Sequence, residues 1–207
     1  MNYKKGSRGE MVRQIQKALA GAGLRVIVDG NFGPITEEAV KEFQKKKGIT
    51  PDGIVGPATL ALLIPSRLKK SRRTINEIII HCTATPEGRE CTVTEIRRWH
   101  IQRGFSDIGY HYVIHLDGRV EEGRNVDIAG AHCTGHNANS IGVVYVGGCG
   151  KDGKTPKDTR TDAQKAALAN LLLDLRKLYP RATIHGHRDF ANKACPSFDA
   201  TKEYRMF

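Results

Sequence analysis

The segment HGHRDFANKACPSFD, residues 185–199, places His185, His187, Lys193 and Cys195 within eleven positions. Imidazole nitrogen and thiolate sulfur are donors that zinc takes, and a catalytic zinc keeps three protein ligands and one open position. A third donor stands far upstream: His81 follows the apolar run at residues 78–80. Two histidines and one cysteine converging from separate segments would give an open site with one negative charge. Residue types alone leave two alternatives standing. The cluster reads equally as a basic loop around a buried thiol, and His185 competes with His187 for one ligand position. The five cysteines, Cys82, Cys91, Cys133, Cys149 and Cys195, are odd in number and lack CxxC pairing. That predicts reduced thiols and no disulfide framework. Four of them read as small buried hydrophobes, and Cys195 is the exception.

The elements that must position these residues begin at Thr74. NEIIIHCTAT carries a continuous apolar run that predicts a buried central strand ending at His81. GYHYVIHLDGRVEEG alternates and then turns at Asp117-Gly118, as a hairpin does, and SIGVVYVGG predicts another buried strand. Thr92-Val93-Thr94-Glu95 and Thr161-Asp162-Ala163-Gln164 are capping boxes that open amphipathic helices, the second reaching about Leu178. Strands interleaved with helices predict an α/β domain over residues 74–207, a mixed central β-sheet flanked by helices.

The first 64 residues follow another pattern. DGNFGPIT at 29–36 returns as DGIVGPAT at 52–59, each a Gly/Pro turn leading into a helix start. Ser7-Arg8-Gly9-Glu10 reads as a capping box, with Met11, Ile15, Ala18, Leu19 and Ala22 on one helical face. A second helix is expected from Thr36 through Val40 and Phe43 to Gly48, and Phe32 and Phe43 are assigned to core packing. This predicts a small three-helix domain over 1–64. Residues 65–73, PSRLKKSRR, read as a solvated basic linker.

Composition narrows the function classes. Of 207 residues, 39% are hydrophobic and 27% charged, which excludes a disordered chain. No apolar run approaches the roughly 18 residues of a membrane span, so stable membrane insertion is not expected. The basic N-terminus leads into ALAGAGLRVIVDG, broken by Gly21, Gly23 and Arg25 and so a poor signal-peptide core. The expectation is a protein that stays cytoplasmic in the producing cell or leaves it by a route with no cleaved signal. The net charge of +11 suits nucleic acid, a membrane face or an anionic cell-wall polymer, and charge alone does not choose among them. With no phosphate loop, zinc-finger spacing or RNA-binding aromatic motif, nucleic acid is not the expected partner.

Two resemblances carry the reading further. GSRGEMVRQIQKAL, DGNFGPIT, VKEFQKKKGI and DGIVGPAT resemble the peptidoglycan-binding domain attached to many wall hydrolases. IIIHCTAT, DIGYHYVIHLDGRVEEGR, AGAHCTGHNANSIGVVYVGG and HRDFANKACPSFD resemble the zinc-dependent N-acetylmuramoyl-L-alanine amidases of the phage-lysozyme type, kin to the peptidoglycan-recognition proteins. The second resemblance spans residues 75–199. It implies one Zn2+ ion held by His81, His187 and Cys195. It also implies two catalytic helpers, Tyr110 and Lys193, and suggests His132 of GAHC as a substrate-groove residue. Some relatives carry a glutamate just after SIG, where this chain has Val143 and Val144, so Tyr110 takes the corresponding load. Retention of Cys195 argues for an enzyme. The implied reaction is hydrolysis of the amide between muramic acid and L-alanine in peptidoglycan by zinc-activated water, as in a phage or prophage endolysin acting as a monomer. A non-catalytic recognition protein and a cytosolic muropeptide-recycling amidase are the alternatives.

Overall fold

Gly-Pro pairs start two of the three helices in the N-terminal region. In the computed structural model, which describes residues 2–64, 68–205 and 207, helix α1 covers Glu10–Gly21, α2 Pro34–Lys46 and α3 Pro57–Leu63. Gly33 and Gly56 cap α2 and α3 in extended conformation with proline in the first turn, where its missing N–H costs no helical hydrogen bond. Helix α2 therefore starts two residues before the expected Thr36 and ends before Gly48. The start of α1 also departs from expectation. Its cap is Gly9 at φ 117°, and the Ser7 hydroxyl accepts the Lys4 N–H instead of a helical one. The face of α1 that packs inward is Val12, Ile15, Gln16 and Leu19, while Ala22 is exposed. Phe32 and Phe43 are buried, as their assignment to the core requires.

Gln16 is buried because it closes the first Asp-Gly turn. Its Nε2 donates to Asp29 Oδ1 at 2.9 Å, Asn31 O at 2.9 Å and Thr36 Oγ1 at 3.1 Å, while its Oε1 accepts the Gly30 N–H at 2.8 Å. Gln44 does the same for the second turn, with Asp52, Ile54, Thr59 and Gly53 at 2.8, 2.9, 3.1 and 2.9 Å. The repeat in the sequence is thus a repeat in structure. Gly30 and Gly53 take φ of 78° and 75°, a conformation costly for other residues.

The chain divides into two compact units, Met1–Leu68 and Lys69–Phe207. In the second, the apolar run becomes strand β1, Glu77–Cys82. It lies between β5, Ser140–Tyr145, and β7, Thr183–Gly186, parallel to both. Strand β3, Tyr112–Ile114, pairs parallel with β5 and antiparallel with β4, Val120–Glu122, through the Asp117-Gly118 turn. The sheet order β4-β3-β5-β1-β7 is mixed, as expected. Two further short strands, β2 (Thr85–Pro86) and β6 (Gly148–Cys149), pair with each other.

Helix α4, Val93–Gln102, is capped by Thr92, and α5, Asp162–Leu178, by the complete Thr161–Gln164 box. A short α6, Ala200–Glu203, follows. Val93 and Ile96 of α4 pack with Ile108, Val113, Val144 and Val146 on one face of the sheet. Leu168, Leu171, Leu172 and Leu175 are the buried side of α5. Among the described residues no helix is long and apolar enough to cross a membrane.

The basic stretch 65–73 departs from a solvated linker where it is described. Residues 65–67 lie outside the described residues, but Ser71 is buried. Its N–H donates to the Tyr179 hydroxyl and its Oγ to Val126 O, each at 2.6 Å. Arg73 donates to the carbonyls of Val126, Asn137, Ala138 and Ser140. A guanidinium is a fork of donors, and here it gathers carbonyls between the loop and β5.

Candidate metal centre

Three segments deliver the candidate ligands. His81 sits near the C-terminal end of β1, fully buried, in register with Val144. His187 opens the 3-10 turn His187–Asp189 just after β7, so its direction is set by the turn and not by strand alternation. Asp189 fixes that turn by accepting the Gly186 N–H at 2.9 Å. Cys195 comes from the following loop, whose carbonyl accepts the Arg188 N–H at 2.7 Å and so ties the two ligand segments together. The loop is anchored on the sheet by the Tyr145 hydroxyl, which donates to Pro196 O at 2.7 Å, and by Ser197 Oγ, which donates to Gly148 O at 2.8 Å.

The donor atoms of His81, His187 and Cys195 lie within 4.8 Å of one another. Cys195 Sγ is 3.8 Å from His81 Nδ1. Ligands about 2.0–2.3 Å from a tetrahedral zinc stand roughly 3.5 Å apart. Two imidazoles and a thiol are the donor types that ion takes, and a closing of the trio would bring them to its spacing. His185 is not in the group. Its Nε2 lies 2.9 Å from Thr183 Oγ1 and its ring packs on Phe190, so of the two histidines it is His187 that stands with His81 and Cys195.

Electrostatics suit neutral donors. Burial, then the neighbouring His132, His187 and Lys193, hold the His81 imidazole well below its ordinary pKa. Burial and Lys193 lower His187 as well. Unprotonated imidazole is the ligating form. Between the two thiols alone, their shared hydrogen bond lowers Cys82 to about 7 and raises Cys195. A cation bound there would reverse that preference, because coordination requires the Cys195 thiolate. The Cys82 N–H, 3.3 Å from Cys195 Sγ, already favours it.

Tyr110 packs its ring 5.1 Å from that of His81, and burial raises its phenol, which stays protonated as a hydrogen-bond donor. Ring contacts continue from Tyr110 to His100 and from His100 to the exposed Phe105. Lys193 is exposed beside the cluster. Val143 and Val144 are fully buried, so neither supplies polar chemistry. His132, suggested by the resemblance as a groove residue, is 8% exposed and lies against His81, its Nδ1 3.0 Å from His81 Nε2. Cys82 and Ser140, which read in the sequence as a small buried thiol and a strand residue, also stand at the cluster, against Cys195 and His132.

Residues 71–198 match the N-acetylmuramoyl-L-alanine amidase family, and residues 8–63 match a peptidoglycan binding domain. The chain belongs to the N-acetylmuramoyl-L-alanine amidase family. An endolysin of Enterobacteria phage K11 is 44% identical over 128 residues, covering 62% of this chain and 84% of that one. An endolysin of Escherichia phage T7 is 44% identical over 130 residues, covering 63% and 85%. Among solved structures, the N-acetylmuramoyl-L-alanine amidase LysC from Clostridium intestinale aligns with a TM-score of 0.54 at 29% identity, over 64% of this chain and 83% of that one. The amidase match includes all three ligand candidates and both helpers.

Proposed function

We propose that this amidase is an endolysin. It opens the amide between N-acetylmuramic acid and L-alanine in peptidoglycan at the centre formed by His81, His187 and Cys195. The observation that carries the reading is the convergence of those three donors within 4.8 Å inside the matched family region. Zinc bound there would polarise a carbonyl and bring the pKa of water toward about 7. The chain's own residues do the rest. Lys193 places an ammonium beside the cluster to stabilise the oxygen on which charge develops, and the Tyr110 phenol holds that oxygen or the attacking water by hydrogen bonding. His81 and His187, kept unprotonated, remain available as ligands at neutral pH.

The first unit, matched as a peptidoglycan binding domain, is proposed to tether the enzyme to the wall, aided by the net charge of +11. The test is digestion of purified peptidoglycan followed by mass spectrometry, with the full chain and with a chain beginning at Lys69. New L-alanine amino termini on intact glycan are expected, whereas new reducing sugars would overturn the amidase reading. Loss of the first unit should slow digestion of insoluble wall by up to about a hundredfold and leave a small soluble muropeptide unaffected. Equal wall activity would remove the tethering role.

A further inference from the structure

His132 does not belong to the metal trio, yet more of the structure is arranged around its ring than packing alone requires. Its Nδ1 is 3.0 Å from His81 Nε2, and its Nε2 is 3.3 Å from Ser140 Oγ. All three side chains are buried. The backbone N–H groups of His132 and Cys133 both donate to Asn137 Oδ1, at 2.8 and 3.0 Å, which fixes where the ring starts. Gly130 and Gly142 make the space for it: a Cβ at either position would stand 2.4 Å from His132 Cδ2.

A neutral imidazole carries one N–H, and the other nitrogen is the acceptor or ligand. The His81 nitrogen that faces Cys195 Sγ is Nδ1, at 3.8 Å. If Nδ1 is to be a ligand, the proton must sit on Nε2, and a buried N–H there needs an acceptor. His132 Nδ1 is that acceptor. The reverse polarity, with His132 donating, would put the His81 proton on Nδ1 and block the metal.

We propose that His132, backed by Ser140, is a positioning residue that holds His81 in the Nε2–H tautomer and so presents Nδ1 to the metal. Loss of such an outer partner typically weakens metal binding roughly 10–100-fold. The proposal rests on the zinc reading of the centre, and its test separates the two.

Zinc affinity of the full chain is measured by chelator competition for wild type, His132→Leu and His132→Asn. Nitrogen-15 histidine NMR of the zinc-loaded wild type is recorded alongside. Leucine removes the acceptor and should weaken zinc binding about 10–100-fold. Asparagine offers a carbonyl oxygen near the Nδ1 position and should recover most of the loss. The wild-type spectrum should show a slowly exchanging proton on His81 Nε2, coupled across the hydrogen bond to His132 Nδ1. A folded leucine variant with wild-type affinity would overturn the proposal, as would a His81 proton on Nδ1; the second result decides the matter even if the leucine variant fails to fold. A wild-type chain that takes up no zinc would overturn the metal reading itself.

Discussion

Both units of this chain bury polar side chains, and they do so for different ends. In the first, Gln16 and Gln44 each make four hydrogen bonds that tie an Asp-Gly turn to the helix that follows it. In the second, His81 is engaged on one nitrogen by His132 and turns the other toward Cys195, in a cluster where His187 also brings a possible metal donor. A buried polar group satisfied on all sides holds a fold together. One satisfied on a single side, with further donors converging on the other, is prepared for something the chain does not itself contain. All eight histidines lie in the second unit.

This contrast can be broken most severely at Cys195. Cys195→Ala should remove bound zinc and reduce amide hydrolysis to background while circular dichroism stays native; metal content and activity that both survive would show the ligand set to be wrong. Tyr110→Phe and Lys193→Ala should keep zinc and lower kcat, by about a hundredfold to a thousandfold for a lost oxyanion donor. Near-normal turnover in the Lys193 variant would return it to a solvated loop lysine.

Acid should separate the units next. Burial holds His100 and His111 near about 4 in the folded chain, against about 6.5 when unfolded. The unfolded state therefore binds more protons in that window. Stability of the second unit, complete above about 6.5, should fall as pH drops toward 4. The first unit has no histidine, and hydrogen bonds to Asp29 and Asp52 lower those carboxyls below their ordinary values, so its losses begin only in the carboxylate range. Amide NMR signals of metal-free protein against pH check this: first-unit signals that vanish before those of the second would contradict it. The smallest effect is expected at the glutamines. Gln16→Leu and Gln44→Leu should each destabilise the first unit by about 1–3 kcal/mol, the cost of buried groups left unpaired. Denaturant melts should show the two losses to be alike, with hydrolysis of a soluble substrate unchanged.

Much of the site was legible in the sequence, because HCTAT, GYHY, HRD and KACPSFD carry their residues in short strings that survive as local structure. Residue types do not choose between His185 and His187, and only the resemblance points to His187, since their directions depend on β7 ending at Gly186 and a 3-10 turn redirecting the next side chain. The contacts of His132 are no more visible in the sequence: the pattern GAHC marks a histidine but says nothing of its ring facing His81 and Ser140. In the first unit, Gln16 is buried although its polarity sets it outside the apolar face that periodicity marks. The short pair β2–β6 has two residues per strand, too few for any periodicity to register. Arg73 read as a solvated charge because carbonyl acceptors from a distant loop leave no mark near it in the chain.

The most direct test of the account is the return of zinc to chelator-stripped protein, with released L-alanine amino groups followed as the ion is added. Hydrolysis should be absent at the start, rise linearly and level off at one zinc per chain. Full hydrolysis by the stripped protein, or a rise continuing well beyond one equivalent, would contradict a single centre built from His81, His187 and Cys195.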